Sequence, residues 1–156
     1  MKTLIRFSIL TALFSFAFHS MSAEFTVEKT KGGVTVKYKG KLFTRYVVGQ
    51  SNKPFMWPII GPNGNEVTRA FPMKKREGER HDHPHHRSLW FGHQGIGGFD
   101  TWHEPASGRK TNLGSTVHRE FVRAQGGDTA VIVTRNDYVG GGKKLLADER
   151  THTFKV

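Results

Sequence analysis

The chain has 156 residues, 36% of them hydrophobic, and a formal net charge of +11. This length supports one domain with a buried core. The sequence contains no cysteine, which excludes both a disulfide framework and a lipid-modified N-terminal cysteine.

The first residues predict an export signal. Lys2 and Arg6 supply a positively charged start, residues 7–18 are almost continuously apolar, and small residues follow. A membrane anchor is the alternative, but the apolar stretch is shorter than the roughly 20 residues of a spanning helix. We therefore expect a signal peptide over 1–23, a domain over 24–156 without a membrane span, and a periplasmic or secreted location.

The remainder of the chain predicts an antiparallel β-sandwich. Short segments alternate between apolar and polar residues and are separated by turn residues, as in strands with one buried face. The segments are 25–29, 34–38, 42–48, 57–60, 66–69, 116–123, 129–138 and 145–156. Gly61-Pro62-Asn63-Gly64 is a strong turn signal, in which Asn63 is a residue that tolerates positive φ. Two packed sheets are the expected architecture.

The last residues, 151–156, are typical of a strand that is not followed by a closing turn. We therefore expect the domain to be incomplete at its C-terminus and the chain to be the N-terminal portion of a longer protein. The alternative is a short natural edge strand.

Three lysines alternate along the sequence, Lys37, Lys39 and Lys41, and are expected to share one face of an extended strand. They predict either attraction to an anionic surface or a strand edge protected from pairing. Nucleic acid is not an expected partner, because the chain carries an export signal and no recognised nucleic-acid-binding motif.

The side chains best suited to chemistry are concentrated in residues 81–93, which hold five of the nine histidines. Imidazole binds transition metals while neutral and transfers protons near pH 7. Pro84 favours extended backbone at His83, so we expect a rigid extended segment. Its histidines would project to two sides, with His81, His83 and His85 on one side and His86 on the other.

One interpretation of this segment is a divalent-metal site. The candidate ligands are the three histidines on one side, His81, His83 and His85. Asp82 or Asp100 would orient a ligand as a hydrogen-bonded carboxylate. A bend or a further ligand such as His93 or His103 is required, because alternate strand positions do not converge on one ion.

A second interpretation is acid–base chemistry without a metal. A neutral histidine paired with another histidine or a carboxylate acts as a general base and acid near neutrality. Arg87 would bind a carboxylate or a sugar hydroxyl, and indole rings offer flat faces to a sugar ring. The tryptophans concerned are Trp57, Trp90 and Trp102, with simple core packing as the alternative for Trp90. These residues predict a carbohydrate or another polar small molecule as the ligand.

Several sequence strings resemble the PmoA-like family of exported bacterial proteins, which carries the label "methane oxygenase PmoA". The strings are Lys53-Pro54-Phe55, Pro58, Gly61-Pro62-Asn63-Gly64, Val67-Thr68-Arg69-Ala70-Phe71-Pro72-Met73, Asp82-His83-Pro84-His85-His86-Arg87-Ser88-Leu89-Trp90-Phe91, Phe99-Asp100, Trp102-His103 and Asp148-Glu149-Arg150. The resemblance implies a β-sandwich similar to part of the galactose-mutarotase type of supersandwich, in a protein about twice as long.

By this analogy, the catalytic candidates are His83, His85 and His86, with Arg87 in the same pocket. The other candidate substrate contacts are Trp90, His93, Trp102 and His103, with glycines on both sides of His93 that allow close backbone approach. The leading hypothesis is a carbohydrate-binding protein or a carbohydrate-active enzyme of the epimerase, lyase or hydrolase type. The alternatives are a metal-dependent oxidoreductase, as the family label implies, and a non-catalytic structural or interaction module.

Overall fold

A computed structural model describes residues 24–109 and 112–156. The predicted signal peptide lies outside the described residues. Within them the chain forms the strands β1 (Phe25–Thr30), β2 (Gly33–Tyr38), β3 (Lys41–Val47), β4 (Phe55–Ile59), β5 (Leu89–Trp90), β6 (Ser115–Gln125), β7 (Ala130–Gly140) and β8 (Lys143–Phe154). A single 3-10 turn covers Pro105–Ser107. No helix in these two ranges is long and apolar enough to span a membrane.

The strands form two antiparallel sheets, which confirms the predicted all-β sandwich. The first sheet has the order β1-β2-β3-β4-β5, and the second has the order β6-β7-β8. The two sheets meet where β1 contacts β6 and β7 and where Phe25 pairs with Gly127. Backbone polar groups are paired along the ladders, which leaves side chains to fill the space between the sheets.

The core lies where inward-facing side chains of the two sheets meet. Val34 and Val36 both face inward from β2, because alternate strand positions share a face. The buried cluster consists of Phe25, Val34, Val36, Tyr46, Met56, Ala130 and Ile132. Full burial of each valine contributes roughly 1.5–3 kcal/mol to folding. The alternation predicted over 34–38 thus matches the buried face of β2.

The segment after β4 differs from the sequence prediction. Residues 66–69 do not form a strand and make only one bridge, between Ile60 and Glu66. The predicted turn between these two residues is present, with a hydrogen bond from the Gly61 amide to the Asn65 carbonyl of 2.8 Å. The residue with positive φ is Gly64 and not Asn63, because glycine reaches that conformation without steric cost.

The three alternating lysines do not share one strand face, so that prediction is wrong. Lys39 lies in the turn between β2 and β3 with a φ of 47°. The ammonium group of Lys37 lies 2.8 Å from Glu28, and that of Lys39 lies 3.2 Å from Glu24. Local carboxylates therefore neutralise part of this positive charge.

Most of the candidate functional residues lie on loops at one end of the first sheet. One loop connects β4 to β5 and carries the histidine segment, and the next connects β5 to β6 and carries Asp100, Trp102 and His103. β5 has only 2 residues, and its pairs with β4 are Phe55 with Trp90 and Met56 with Leu89. This short strand positions Trp90 between the two loops.

Candidate functional site

The histidine segment is a turn and not an extended chain, so the predicted side-chain pattern is wrong. His83 has a φ of 48°, and the His86 amide donates to the His83 carbonyl at 2.9 Å. Proline is favoured at the second position of such a turn, which is where Pro84 stands. The turn is held from outside by Arg69, whose Nη2 donates to the Asp82 carbonyl at 2.6 Å.

This turn brings together rings that an extended chain would separate. The rings of His83 and His86 are stacked with centroids 5.0 Å apart, and His86 stacks in turn on Trp90 at 5.1 Å. The ring of His85 lies 4.4 Å from that of His86 and 4.5 Å from that of His103. We call these residues, together with Trp102, which lies 5.2 Å from Trp90, the histidine–indole cluster.

The three candidate metal ligands do not converge. His81 stacks on the ring of Phe71 at 4.9 Å, whereas His83 and His85 belong to the histidine–indole cluster. No group of three histidine, aspartate or glutamate side chains in the described ranges is arranged to hold a metal ion. The Asp82 carboxylate binds neighbouring side chains, since it lies 3.0 Å from Nδ1 of His83 and 3.3 Å from Arg69.

Asp100 forms a hydrogen-bonded dyad with His103 of the histidine–indole cluster. Nδ1 of His103 lies 2.8 Å from Oδ2 of Asp100, while Oδ1 of Asp100 accepts the backbone amides of Trp102 and His103 at 2.9 and 3.0 Å. These bonds hold the carboxylate in place and favour a proton on Nδ1, which leaves Nε2 as the acceptor. Nε2 lies 3.5 Å from the guanidinium of Arg109, a residue that the sequence analysis did not select.

Two predicted substrate contacts have other partners. Arg87 binds Glu104 through two bonds of 3.0 Å, from Nε to Oε2 and from Nη2 to Oε1. His93 is exposed, and its backbone carbonyl accepts the amide and the hydroxyl of Thr101 at 3.0 and 2.9 Å. Arg87 thus joins the two loops, whereas His93 closes the loop between β5 and β6 on itself.

Glu104 and Lys53 are buried charges that sequence reasoning did not assign to the site. Glu104 is 3% exposed and Lys53 is 1% exposed. The Lys53 ammonium donates to the Trp102 carbonyl at 2.7 Å and to Asn52 at 3.1 Å. No periodic pattern surrounds either residue, so only the folded loops reveal their burial.

Burial sets the charge states of the cluster. Burial, followed by the nearby charges of His86 and His103, lowers the pKa of His85 to about 4. The pKa of His86 is also lowered, again mainly by burial. Both imidazoles are therefore neutral at pH 7. Burial likewise lowers the pKa of Lys53 to about 8, although the charge of Glu104 opposes this shift.

The carboxylates of the site remain ionised for a different reason. Burial alone would raise the pKa of Asp100, but the hydrogen bonds from the His103 amide, the His103 ring and the Trp102 amide lower it. The pKa of Glu104 is also lowered, because bonds from Arg87 and Ser51 outweigh its burial. A charged Asp100 next to neutral imidazoles is an arrangement suited to proton transfer.

The fold and the cluster define an all-β sandwich protein with a histidine-rich loop site. Residues 33–156 match a family of unknown function, DUF6807, and the chain belongs to this family. The predicted membership of the PmoA-like family is therefore wrong, since DUF6807 is the family found and no PmoA family matches. No curated protein and no solved structure matches the chain.

Proposed function

We propose that this protein binds and processes a carbohydrate by acid–base chemistry at the histidine–indole cluster. The observation that carries the proposal is the dyad of His103 and Asp100, with Nδ1 and Oδ2 2.8 Å apart. It lies beside two indole rings in edge-to-face contact, Trp90 and Trp102, whose centroids are 5.2 Å apart. Acid–base groups next to flat apolar surfaces suit a ligand that carries both hydroxyl groups and apolar ring faces.

The chemistry follows from the position of the proton on His103. Asp100 holds the Nδ1 proton, so Nε2 accepts a proton from a sugar hydroxyl or from a carbon next to a carbonyl. The resulting imidazolium is stabilised by the Asp100 carboxylate and returns the proton in a later step. His86, neutral at pH 7, hydrogen-bonds sugar hydroxyls without adding charge. An epimerase, a lyase and a hydrolase all use such a proton transfer.

Export is part of the proposal and is supported by the sequence of residues 1–23. A positively charged start followed by an apolar segment and small residues is typical of a secretory signal. We infer a periplasmic or secreted protein that meets its carbohydrate outside the cytoplasm.

The test is a turnover assay on the full chain. Neutral and acidic mono- and oligosaccharides are incubated with the protein and followed by ¹H NMR. We expect the wild type to convert at least one sugar and His103→Asn to lose about 10²-fold or more of the rate. His118→Asn is the matched control, because this half-buried histidine of β6 lies outside the cluster, and it should retain the wild-type rate. Equal rates for wild type and His103→Asn would remove the dyad from the mechanism.

A non-catalytic module is the second candidate, and one observation favours it. His85 is 5% exposed and packs against other rings, and the guanidinium of Arg87 is engaged by Glu104. In that case the cluster would stabilise the loops and do no chemistry. Loss of folding stability in His86→Ala, together with no sugar conversion by the wild type, would support this candidate.

A further inference from the structure

A second concave site lies on the flank of the sandwich, where the last strands of both sheets come close. It is a cavity of about 220 Å³ lined by residues of β3, β4, β5 and β8 and of the adjoining loops, among them Tyr46, Phe55, Trp90, Phe91 and Arg150. β5 and β8 are the end strands of their sheets in the described ranges. The cavity is thus open to ligands from the side of the molecule.

Arg150 is a polar residue that lines the cavity, and it is the centre of a hydrogen-bonded network. Its Nε donates to Asp148 at 2.7 Å, and its Nη2 donates to the Tyr138 hydroxyl at 2.6 Å. The Tyr138 hydroxyl donates to Oδ2 of Asp148 at 2.7 Å, and the side-chain amide of Asn136 donates to Oδ1 of Asp148 at 2.9 Å. Nη1 of Arg150 makes no hydrogen bond to any described residue and is free to donate to a ligand.

The apolar part of the cavity is formed by rings and by exposed side chains at its mouth. Phe91 lies under the Arg150 guanidinium, 4.7 Å from it. Phe91 is 54% exposed and Leu89 is 51% exposed. Large apolar side chains at the opening of a cavity that also contains polar groups are typical of a ligand site.

These groups select a neutral ligand with many hydroxyl groups. Asp148 neutralises Arg150, so an anion gains no net attraction there. A purely apolar ligand would bury Nη1 of Arg150 without a hydrogen-bond partner, which is costly. A sugar ring places a hydroxyl against Nη1 and a carbon–hydrogen face against Phe91. A volume below the roughly 300 Å³ of common ligand sites accommodates one ring.

Trp90 connects this cavity to the histidine–indole cluster. It lines the cavity and stacks on His86 with centroids 5.1 Å apart. His83, His86 and His103 do not line the cavity, so a ring bound there lies beyond the reach of the acid–base groups.

We propose that the cavity anchors one ring of an oligosaccharide whose neighbouring ring lies at the histidine–indole cluster. This inference rests on the proposed function and narrows its substrate class. Free monosaccharides occupy one of the two positions, whereas a disaccharide occupies both and gains affinity from the second.

The experiment is isothermal titration calorimetry of the full chain with matched sugars: glucose with cellobiose and maltose, galactose with lactose, xylose with xylobiose, and mannose with mannobiose. We expect one disaccharide to bind about tenfold or more tightly than its monosaccharide. Phe91→Ala should reduce this ratio to within about threefold, because it removes the exposed aromatic wall. Arg150→Lys, which keeps the charge and loses the fork, should reduce it as well.

The matched control is Val122→Ala, which shortens an exposed apolar side chain on β6 away from the cavity and should keep the wild-type ratio. An unchanged ratio in both cavity variants, or no disaccharide preference in the wild type, overturns the cavity proposal. The proposed function is judged separately, by conversion of sugars in wild type and His103→Asn. If the cavity variants reduce the disaccharide preference but turnover does not depend on His103, the anchor site is supported and the acid–base chemistry is overturned.

Discussion

Arg87 and Glu104 are joined by two hydrogen bonds of 3.0 Å each, from Nε and Nη2 of the guanidinium to the two carboxylate oxygens. The pair connects the histidine turn to the loop that carries the dyad. The side chains are only 16% and 4% exposed, and Ser51 adds a hydrogen bond of 2.6 Å to the same carboxylate. This ion pair therefore fixes the relative position of the two halves of the site.

Removing one partner of this pair should be costly. In Glu104→Ala the Arg87 guanidinium stays buried without its counter-charge, so we expect the free energy of unfolding to fall by about 3 kcal/mol. Urea denaturation followed by circular dichroism measures the change. The control is Arg135→Ala, which removes two exposed ion pairs with Glu120 and Glu149 and should cost less than about 1 kcal/mol. Equal losses in the two variants would contradict a dominant role for the buried pair.

The hydrogen bond between Asp100 and His103 should set the tautomer of the imidazole. In Asp100→Asn the amide NH₂ can donate to Nδ1 of His103, which moves the ring proton to Nε2 and removes the acceptor needed for acid–base chemistry. The amide oxygen still accepts the Trp102 and His103 backbone amides, so the loop should keep its shape. ¹⁵N NMR of the histidine rings should show Nδ1–H in the wild type and Nε2–H in the variant. A wild type already in the Nε2–H form would contradict the dyad.

His85 should make folding stability depend on pH. Burial lowers its pKa from 6.5 to about 4, so between these values the unfolded chain binds a proton that the folded chain does not. The free energy of unfolding therefore rises with pH across this window, reaches its full value above pH 6.5, and decreases as the pH falls toward 4. His85 contributes on the order of 3 kcal/mol to this change. His86, His118 and His152 act in the same direction, because burial lowers each pKa.

Urea denaturation at several pH values between 4 and 7 measures this dependence for the wild type and for His85→Gln. The variant should show a shallower loss of stability toward acid. The exposed His93 serves as the control, since His93→Gln should leave the wild-type dependence unchanged. An identical pH dependence in wild type and His85→Gln would show that His85 is not the group that is buried uncharged.

Two tyrosine hydroxyls should have opposite effects on stability. The hydroxyl of Tyr46 is buried without a hydrogen-bond partner. The Thr134 hydroxyl lies near enough to moderate the rise in the pKa of Tyr46 that burial causes, but not in hydrogen-bond geometry. Tyr46→Phe should therefore stabilise the fold by about 1 kcal/mol.

Tyr138→Phe is the matched comparison, because this hydroxyl donates to Asp148 and accepts from Arg150. We expect it to destabilise the fold by about 1–2 kcal/mol. Thermal unfolding monitored by calorimetry gives both values. A loss of stability in Tyr46→Phe would mean that its hydroxyl has a partner in solution.

Gly92 should be required for the contact between the two indole-bearing segments. A Cβ at this position would lie 3.1 Å from both the Thr101 carbonyl oxygen and Cα of Trp102, and 3.4 Å from Nε1 of Trp90. Gly92→Ala should therefore destabilise the fold by about 1–3 kcal/mol and change the tryptophan fluorescence. Gly32→Ala is the control, because no atom lies within 4 Å of its Cβ position. Similar effects of both substitutions would rule out close packing as the cause.

Most of the strands were predictable, because alternation depends only on neighbouring residues, but 66–69 form no strand and the two-residue β5 was not predicted. Val34 and Val36 are buried as expected, and the turn before Asn65 forms where the sequence places it. The conformation of His83 was not predictable, because the preference imposed by Pro84 is overridden by contacts from Arg69, a residue distant in sequence. Local sequence preferences determine the backbone conformation of a loop only where no contact from a residue distant in sequence competes with them.

Part of the candidate site was named from the sequence, and its role stays a prediction. The sequence named Asp100 as an orienting carboxylate and named His103, but it could not show that the two bind each other. The network around Arg150 was not found, because it depends on the register between β7 and β8, in which Asn136 stands opposite Asp148 and Thr134 opposite Arg150. One residue of slippage would place these side chains on the other face of the sheet.

β5 is attached to the first sheet by two residue pairs only. A ladder this short can detach while the remaining strands stay intact. Trp90 and Phe91 would then move away from Arg150 and widen the anchor cavity, while the Arg87–Glu104 pair keeps the histidine turn next to the dyad. Exchange of a ring at the cavity would be timed by local opening of the chain and not by unfolding of the sandwich.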